Sequence, residues 1–170
     1  MKPILVSVLL CCAVAGLSSL DLAVGVVASG LDKVGAEAVV QGPEKWLGHD
    51  LRPEFGVEAR FAGSTAQVLV PCGLSWESYL EEGWSWGLSA RALVGASLVA
   101  SPVYLWGAEG SFRVEFAWVP GLALGISAGT RYLAETVEFP LRLFLEIPLG
   151  PEDPLEAYDN QDHGEDEGTK

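Results

Sequence analysis

The residues that could do acid–base or nucleophilic chemistry are few and badly spaced for it. Two histidines occur in 170 residues, His49 in Gly48-His49-Asp50 and His163 near the C-terminus. Hydrolysis of a lipid ester would need a histidine beside a serine or an acid. His49 sits in a loop-like segment without a serine partner and His163 lies in an acidic run, so both read as solvent-exposed. No catalytic residue is expected, and the chain is read as a non-enzyme. Of the cysteines, Cys11 and Cys12 fall in an apolar leader, which leaves Cys72 alone afterwards, with no zinc spacing and no internal disulfide partner. Asp153, Asp159, Asp162, Glu165, Asp166 and Glu167 crowd the end of the chain without the ligand spacing or turn glycine of a calcium loop. Gly125-Ile126-Ser127-Ala128-Gly129 is no nucleotide fingerprint, because no helix follows to hold a phosphate. Neither a metal nor a cofactor is expected.

The charges that remain recur at every second position, and that spacing is informative. Hydrophobic residues make up 49 % of the chain and mean hydropathy is +0.29, yet 19 % of residues are charged. That is too apolar for an ordinary soluble domain and too charged for a bundle of membrane helices. A wall that alternates apolar and polar side chains along each strand accommodates both. The net charge of −13 argues against nucleic acid as a partner.

Met1-Lys2, the apolar run Ile4 to Val14 and Ala13-Val14-Ala15 make a signal-peptide pattern over residues 1–20, with Leu17-Ser18-Ser19 as a second cleavage choice. Lipid attachment at Cys11 or Cys12 is disfavoured, since the residues before them are not small. Residues 150–170 read as an acidic disordered tail.

Between them, residues 21–149 follow a period of two. Leu51, Pro53, Phe55, Val57, Ala59 and Phe61 share one face, and Arg52, Glu54, Gly56, Glu58 and Arg60 the other. The same alternation gives eight strands, at 21–30, 33–41, 51–62, 64–76, 84–99, 103–118, 121–132 and 136–149. Most reach the 9–11 residues that a tilted membrane-crossing strand requires.

Alternation alone does not say which face meets water. All six arginines lie on the polar face, among glutamates and small residues. A solvent-facing wall has no need of small residues, whereas the narrow interior of an eight-stranded barrel does, and charges enclosed there must pair. Glu54, Glu58, Arg60, Arg91, Arg113, Glu115, Arg131, Glu138, Arg142 and Glu146 are therefore expected to form a lumenal ion-pair network with a structural role. The aromatic residues divide between two rims, Trp76, Trp84, Trp86 and Trp118 at one and Tyr104, Trp106 and Tyr132 at the other, as membrane interfaces favour. The expected fold is a closed, antiparallel, up-and-down transmembrane β-barrel.

In signal peptide, strand period and aromatic rims, residues 21–149 resemble the small bacterial outer-membrane barrels, the group of the OmpA transmembrane domain, OmpX and OmpW. The short connectors and cysteine-bearing leader are similar to those of spirochaetal members. The resemblance implies an outer-membrane location, a monomer in contact with outer-membrane lipid and the barrel-assembly machinery, and loops that meet a host or surface ligand. It departs from the group in two places. No aromatic residue closes the last strand, and Gly42–Asp50 and Glu77–Gly83 would be long loops on the side of the termini. The expected role is structural or surface interaction through a plugged lumen. An OmpW-like route for small hydrophobic molecules, with Leu93 and Phe144 as lumen-side contacts, is the alternative. A soluble periplasmic lipid-binding barrel is the third reading.

Overall fold

A computed structural model describes residues 20–43, 51–80, 83–99, 101–119 and 121–149. The expected signal peptide, the acidic tail, and His49 and His163 lie outside these residues. The strands are β1 (Asp21–Ala28), β2 (Lys33–Gln41), β3 (Leu51–Ala62), β4 (Thr65–Tyr79), β5 (Trp84–Leu98), β6 (Val103–Val119), β7 (Leu122–Leu133), β8 (Thr136–Glu138) and β9 (Leu141–Pro148).

From β1 to β8 each strand pairs antiparallel with the next, β7 pairs with β9 as well, and β1 pairs with β9 to close the wall. β8 and β9 are two pieces of one strand, because both meet β7 in a single unslipped register. Arg131 faces Glu138, and Ala128 faces Leu141. Pro140 has no N–H to give to a ladder, but its carbonyl still accepts from Gly129 N at 3.0 Å. The barrel therefore has eight walls, as the periodicity predicts.

Following paired residues from Asp21 through Gln41, Glu54, Gly73, Arg91, Glu109 and Arg131 leads to Glu138. Asp21 itself pairs with Pro148, ten residues further along that strand. This stagger goes with a strand tilt of roughly 35–45°.

Four connections lie at one end and none is longer than four residues: Ser29–Asp32, Gly63-Ser64, residues 99–102 and Ala134-Glu135. The last is a two-residue hairpin with both residues at positive φ, 46° and 68°. That geometry normally selects asparagine and glycine. Here Thr136 Oγ1 donates to Leu133 O at 2.7 Å across the turn. The opposite end carries both termini of the wall, where Leu149 N donates to Leu20 O at 2.6 Å. Of the long loop expected at Glu77–Gly83, Glu77 to Tyr79 belong to β4, and β5 begins at Trp84. Only the β2–β3 connection is long at this end.

The interior is fitted by size. Lumen-facing glycines stand opposite large inward side chains: Gly73 faces Glu54 and Arg91, Gly95 faces Leu69 and Leu105, and Gly107 faces Leu93 and Leu133. Gly125 faces Phe144 and Glu115, and a Cβ built there would collide with the Phe144 ring. Gly110 points outward, and a Cβ there would meet nothing closer than Ser89 O at 4.0 Å.

Overpacking a filled core costs about 1–3 kcal/mol. Gly125→Val is therefore expected to lower the unfolding free energy, read from urea titration of the detergent-folded protein, by about 1–3 kcal/mol, and Phe144→Ala to restore part of it. Gly110→Ala should leave it unchanged. Replacing Ala134-Glu135 with Asn-Gly should raise it by about 1 kcal/mol per relieved left-handed residue.

Candidate functional site

The strands present two faces of opposite chemistry. No Asp, Glu, Lys or Arg points outward from a strand among the described residues, and the outer face carries Val26, Phe55, Leu88, Val94, Ile126 and Leu143, all exposed. The arginines and strand glutamates point inward and are buried or nearly so. Trp76, Trp84, Trp86 and Trp118 decorate the terminus end of the outer wall. The Trp76 and Trp86 rings meet edge to face at 4.9 Å, and Trp84 lies 4.8 Å from Phe116. Tyr104, Trp106 and Tyr132 lie toward the tight-turn end, with Trp106 and Tyr132 at 6.2 Å. These two bands occupy the positions that interfacial belts take.

Within the lumen the charges form three linked groups. Nearest the tight turns, Arg60 Nη1 donates to Glu138 Oε2 at 2.6 Å, its Nε to Gln67 Oε1 at 2.8 Å, and Lys33 Nζ to Glu138 Oε1 at 2.9 Å. In the middle, Arg131, with no exposed surface, reaches Glu58 Oε1 and Glu109 Oε2, each at 2.7 Å. Arg142 donates to Glu109 Oε2 at 2.8 Å and to Glu37. Arg91 bridges Glu54 at 2.7 Å and Glu37 at 2.8 Å. Toward the termini, Arg113 pairs with Glu77 and Glu115, each at 3.0 Å. Arg52 pairs with Asp21, with Glu77 at 3.3 Å and with Glu146 at 3.6 Å, and its Nε donates to Gly42 O. Arginine suits this role because its planar fork can satisfy two carboxylates at once.

Every residue expected in the lumen thus faces it, and each has a partner of opposite charge. The expected set lacked Asp21, Lys33, Glu37, Arg52, Glu77 and Glu109 as members. Glu37 and Glu109 are the hubs on which Arg91, Arg142 and Arg131 converge. Continuing the inward parity from Lys33 and Gly35, or back from Ser111, would have reached both.

Leu69, Leu93, Leu105 and Leu133 form an apolar cluster on β4–β7 toward the tight turns, 0–7 % exposed. Leu93 therefore belongs to a packed plug. Phe144 lies on the other side, beside a cavity of about 30 Å³ lined also by Gln41, Ser89, Arg91, Ser111, Arg113, Ser127 and Arg142. That space admits one or a few water molecules.

Removing one member of a buried ion pair costs about 3–5 kcal/mol, because its partner is left charged and unpaired. Arg131→Met is expected to destabilise by that order in equilibrium unfolding from detergent micelles, and adding Glu58→Gln should recover part of the loss. An unchanged stability would mean that the network contributes nothing.

No known family model matches the sequence, and no curated protein sequence matches it. Solved structures do match in shape. Neisserial surface protein A (NspA) is 16 % identical, with a TM-score of 0.53 over 76 % of this chain and 93 % of its own. The N-terminal β-barrel domain of Pseudomonas aeruginosa OprF is 11 % identical, with a TM-score of 0.60 over 78 % of this chain and 98 % of its own. Ail, the attachment invasion locus protein of Yersinia pestis, is 10 % identical, with a TM-score of 0.54 over 78 % and 99 %. At these identities the likeness establishes the fold, and this chain has the fold of small outer-membrane β-barrels.

Proposed function

We propose that this protein is a non-catalytic structural barrel of a bacterial outer membrane, its lumen closed to solutes by paired charges and packed leucines. The observation that carries this reading is the division of faces: among the described residues the outer strand face is free of charge, and the inner face holds charges that pair with one another. A soluble barrel would need the reverse arrangement, with apolar residues inside around a lipid. Strands such as β5, with 15 residues, cover about 35 Å at this tilt, which is enough to cross a hydrocarbon core.

The site residues act structurally in this reading. Glu54, Glu58, Arg60, Arg91, Arg113, Glu115, Arg131, Glu138, Arg142 and Glu146 fill and staple the interior, and the tryptophans and tyrosines seat the rims. With both termini on the periplasmic side, the outward end is the one with four tight turns. Recognition of a host ligand through long loops has little to build on there. The barrel-assembly machinery and surrounding lipid are its proposed partners, and a monomer its proposed state.

The OmpW-like alternative gains support from the four-leucine cluster, an apolar patch of the kind it requires. The wall offers that patch no gap between its own strands, because Leu69 pairs with Gly95, Gly95 with Leu105, and Gly107 with Leu93 and Leu133 in unbroken ladders.

Fractionation and SDS-PAGE with and without boiling test the location: a membrane-pellet band whose mobility shifts on heating is expected, and a soluble band without a shift would refute the proposal. In liposomes, swelling assays with sugars should show no permeation above protein-free vesicles. Uptake of a small hydrophobic solute by protein-containing vesicles alone would favour the transport reading.

A further inference from the structure

The cavity beside Phe144 follows from the small residues around it. At that level β1 turns Ala23 and Gly25 inward, and β5, β6 and β7 answer with Ser89, Ser111 and Ser127. Short side chains from both sides leave the middle of the lumen unfilled. A larger residue at position 25 is no remedy, because a Cβ there would collide with Leu143 O and with Phe144.

Two buried atoms of the lining residues have no hydrogen-bond partner among the described residues, and they are of opposite kind. Arg142, 5 % exposed, donates from Nε to Glu37 and from Nη2 to Glu109, which leaves Nη1 as an unused donor. Gln41, 1 % exposed, donates its amide nitrogen to Glu54 at 3.4 Å, which leaves Oε1 as an unused acceptor. Ser89 and Ser111 share one hydrogen bond at 2.7 Å, so one of their hydroxyl protons remains to be placed. Arg113 Nε also lacks a hydrogen bond, but it lies 3.0 Å from the Glu115 carboxylate.

The occupant is defined by what these atoms need. A cation cannot accept from Arg142 Nη1, and an anion cannot donate to Gln41 Oε1. An anion would also find the charge of Arg91, Arg113 and Arg142 already met by Glu37, Glu54, Glu77, Glu109 and Glu115. Water both gives and takes hydrogen bonds, and it fits a space of about 30 Å³. We propose that this cavity holds resident water, one molecule or two in line, joining Arg142 Nη1 to Gln41 Oε1. Gln41 stands on β2 and Arg142 on β9, the two strands that pair with either side of β1. Donor and acceptor therefore face one space only when the last strand has closed on the first. A ligand that binds the folded state alone stabilises it, so the water fastens the barrel across its closing strand. This inference rests on the closed lumen proposed above.

The test is a crystal structure of the full-length, detergent-folded protein, at a resolution that shows ordered water, from crystals soaked in rubidium bromide. Density for one or two waters within hydrogen-bond distance of Arg142 Nη1 and Gln41 Oε1 is expected, without anomalous signal from either ion. Bromide or rubidium signal there would make the occupant an ion and overturn the proposal. A cavity without density would overturn it too, and either result would leave the closed lumen standing. A file of waters running on to either mouth would overturn the trapped water and the closed lumen together. Thermal unfolding gives a second reading through its sign. Filling dry space with Ala23→Val would raise the midpoint, whereas displacing a bound water leaves its donor and acceptor unpaired and lowers it. A lowered midpoint is expected, partly restored by adding Gln41→Met, which removes the orphaned acceptor. A raised midpoint in Ala23→Val would overturn the proposal, with the heat-modifiable band confirming that each variant is folded.

Discussion

Six guanidiniums inside a wall whose outer face is apolar are accommodated by carboxylates at the right height, most of them from other strands. Arg131 on β7 needs Glu58 from β3 and Glu109 from β6. Arg91 on β5 needs Glu37 from β2 and Glu54 from β3. All of these except Arg131–Glu109, which stand side by side on the paired strands β6 and β7, join strands that are not neighbours, so they help to specify the stagger of the wall. A slip of one residue in any ladder would turn a charge into the apolar surroundings and a leucine into the interior. The ion pairs therefore contribute to register as much as to cohesion, which is the better-attested use of buried charge. The glycines serve the same constraint from the side of volume, because an eight-stranded barrel has just enough interior for side chains to fill.

Most of the wall was legible in the amino-acid order, for a physical reason. Where one face meets charge and the other meets apolar surroundings, alternation is forced, as in Leu51 to Phe61. Legibility fell where small residues dilute the contrast. Glu37 sits between Ala36 and Ala38, and Glu109 between Ala108 and Gly110, so neither interrupts an apolar run and both escaped notice. Glu77 was lost because the strand was ended at Trp76, whereas the ladder with β5 continues to Tyr79 paired with Ser85. Phe139-Pro140 lies inside a segment read as one strand. Periodicity sees side chains and is blind to a missing N–H, so the break in hydrogen bonding left no trace in the pattern.

Fold and function come apart in this molecule. The shared shape with NspA, OprF and Ail at 10–16 % identity reflects a common solution to closing eight strands in lipid. Different tasks are grafted onto such frames through loops and lumen chemistry. In this chain one end is reduced to tight turns, and the other end concentrates unbalanced carboxylates.

The described strands are also unequal in length around the circumference. β1 and β2 have 8 and 9 residues, whereas β5 and β6 have 15 and 17. At the common tilt this amounts to roughly 20 Å of wall on one flank against more than 35 Å on the other. A bilayer cannot match both flanks while the cylinder stands upright. The molecule settles this by leaning toward its short side, by drawing the leaflets together beside β1 and β2, or by both, at fractions of a kcal/mol per ångström of mismatch. In a bilayer, the lipid beside β1 and β2 is therefore expected to be thinner than the lipid beside β5 and β6, an effect of the barrel's shape apart from anything that binds to it.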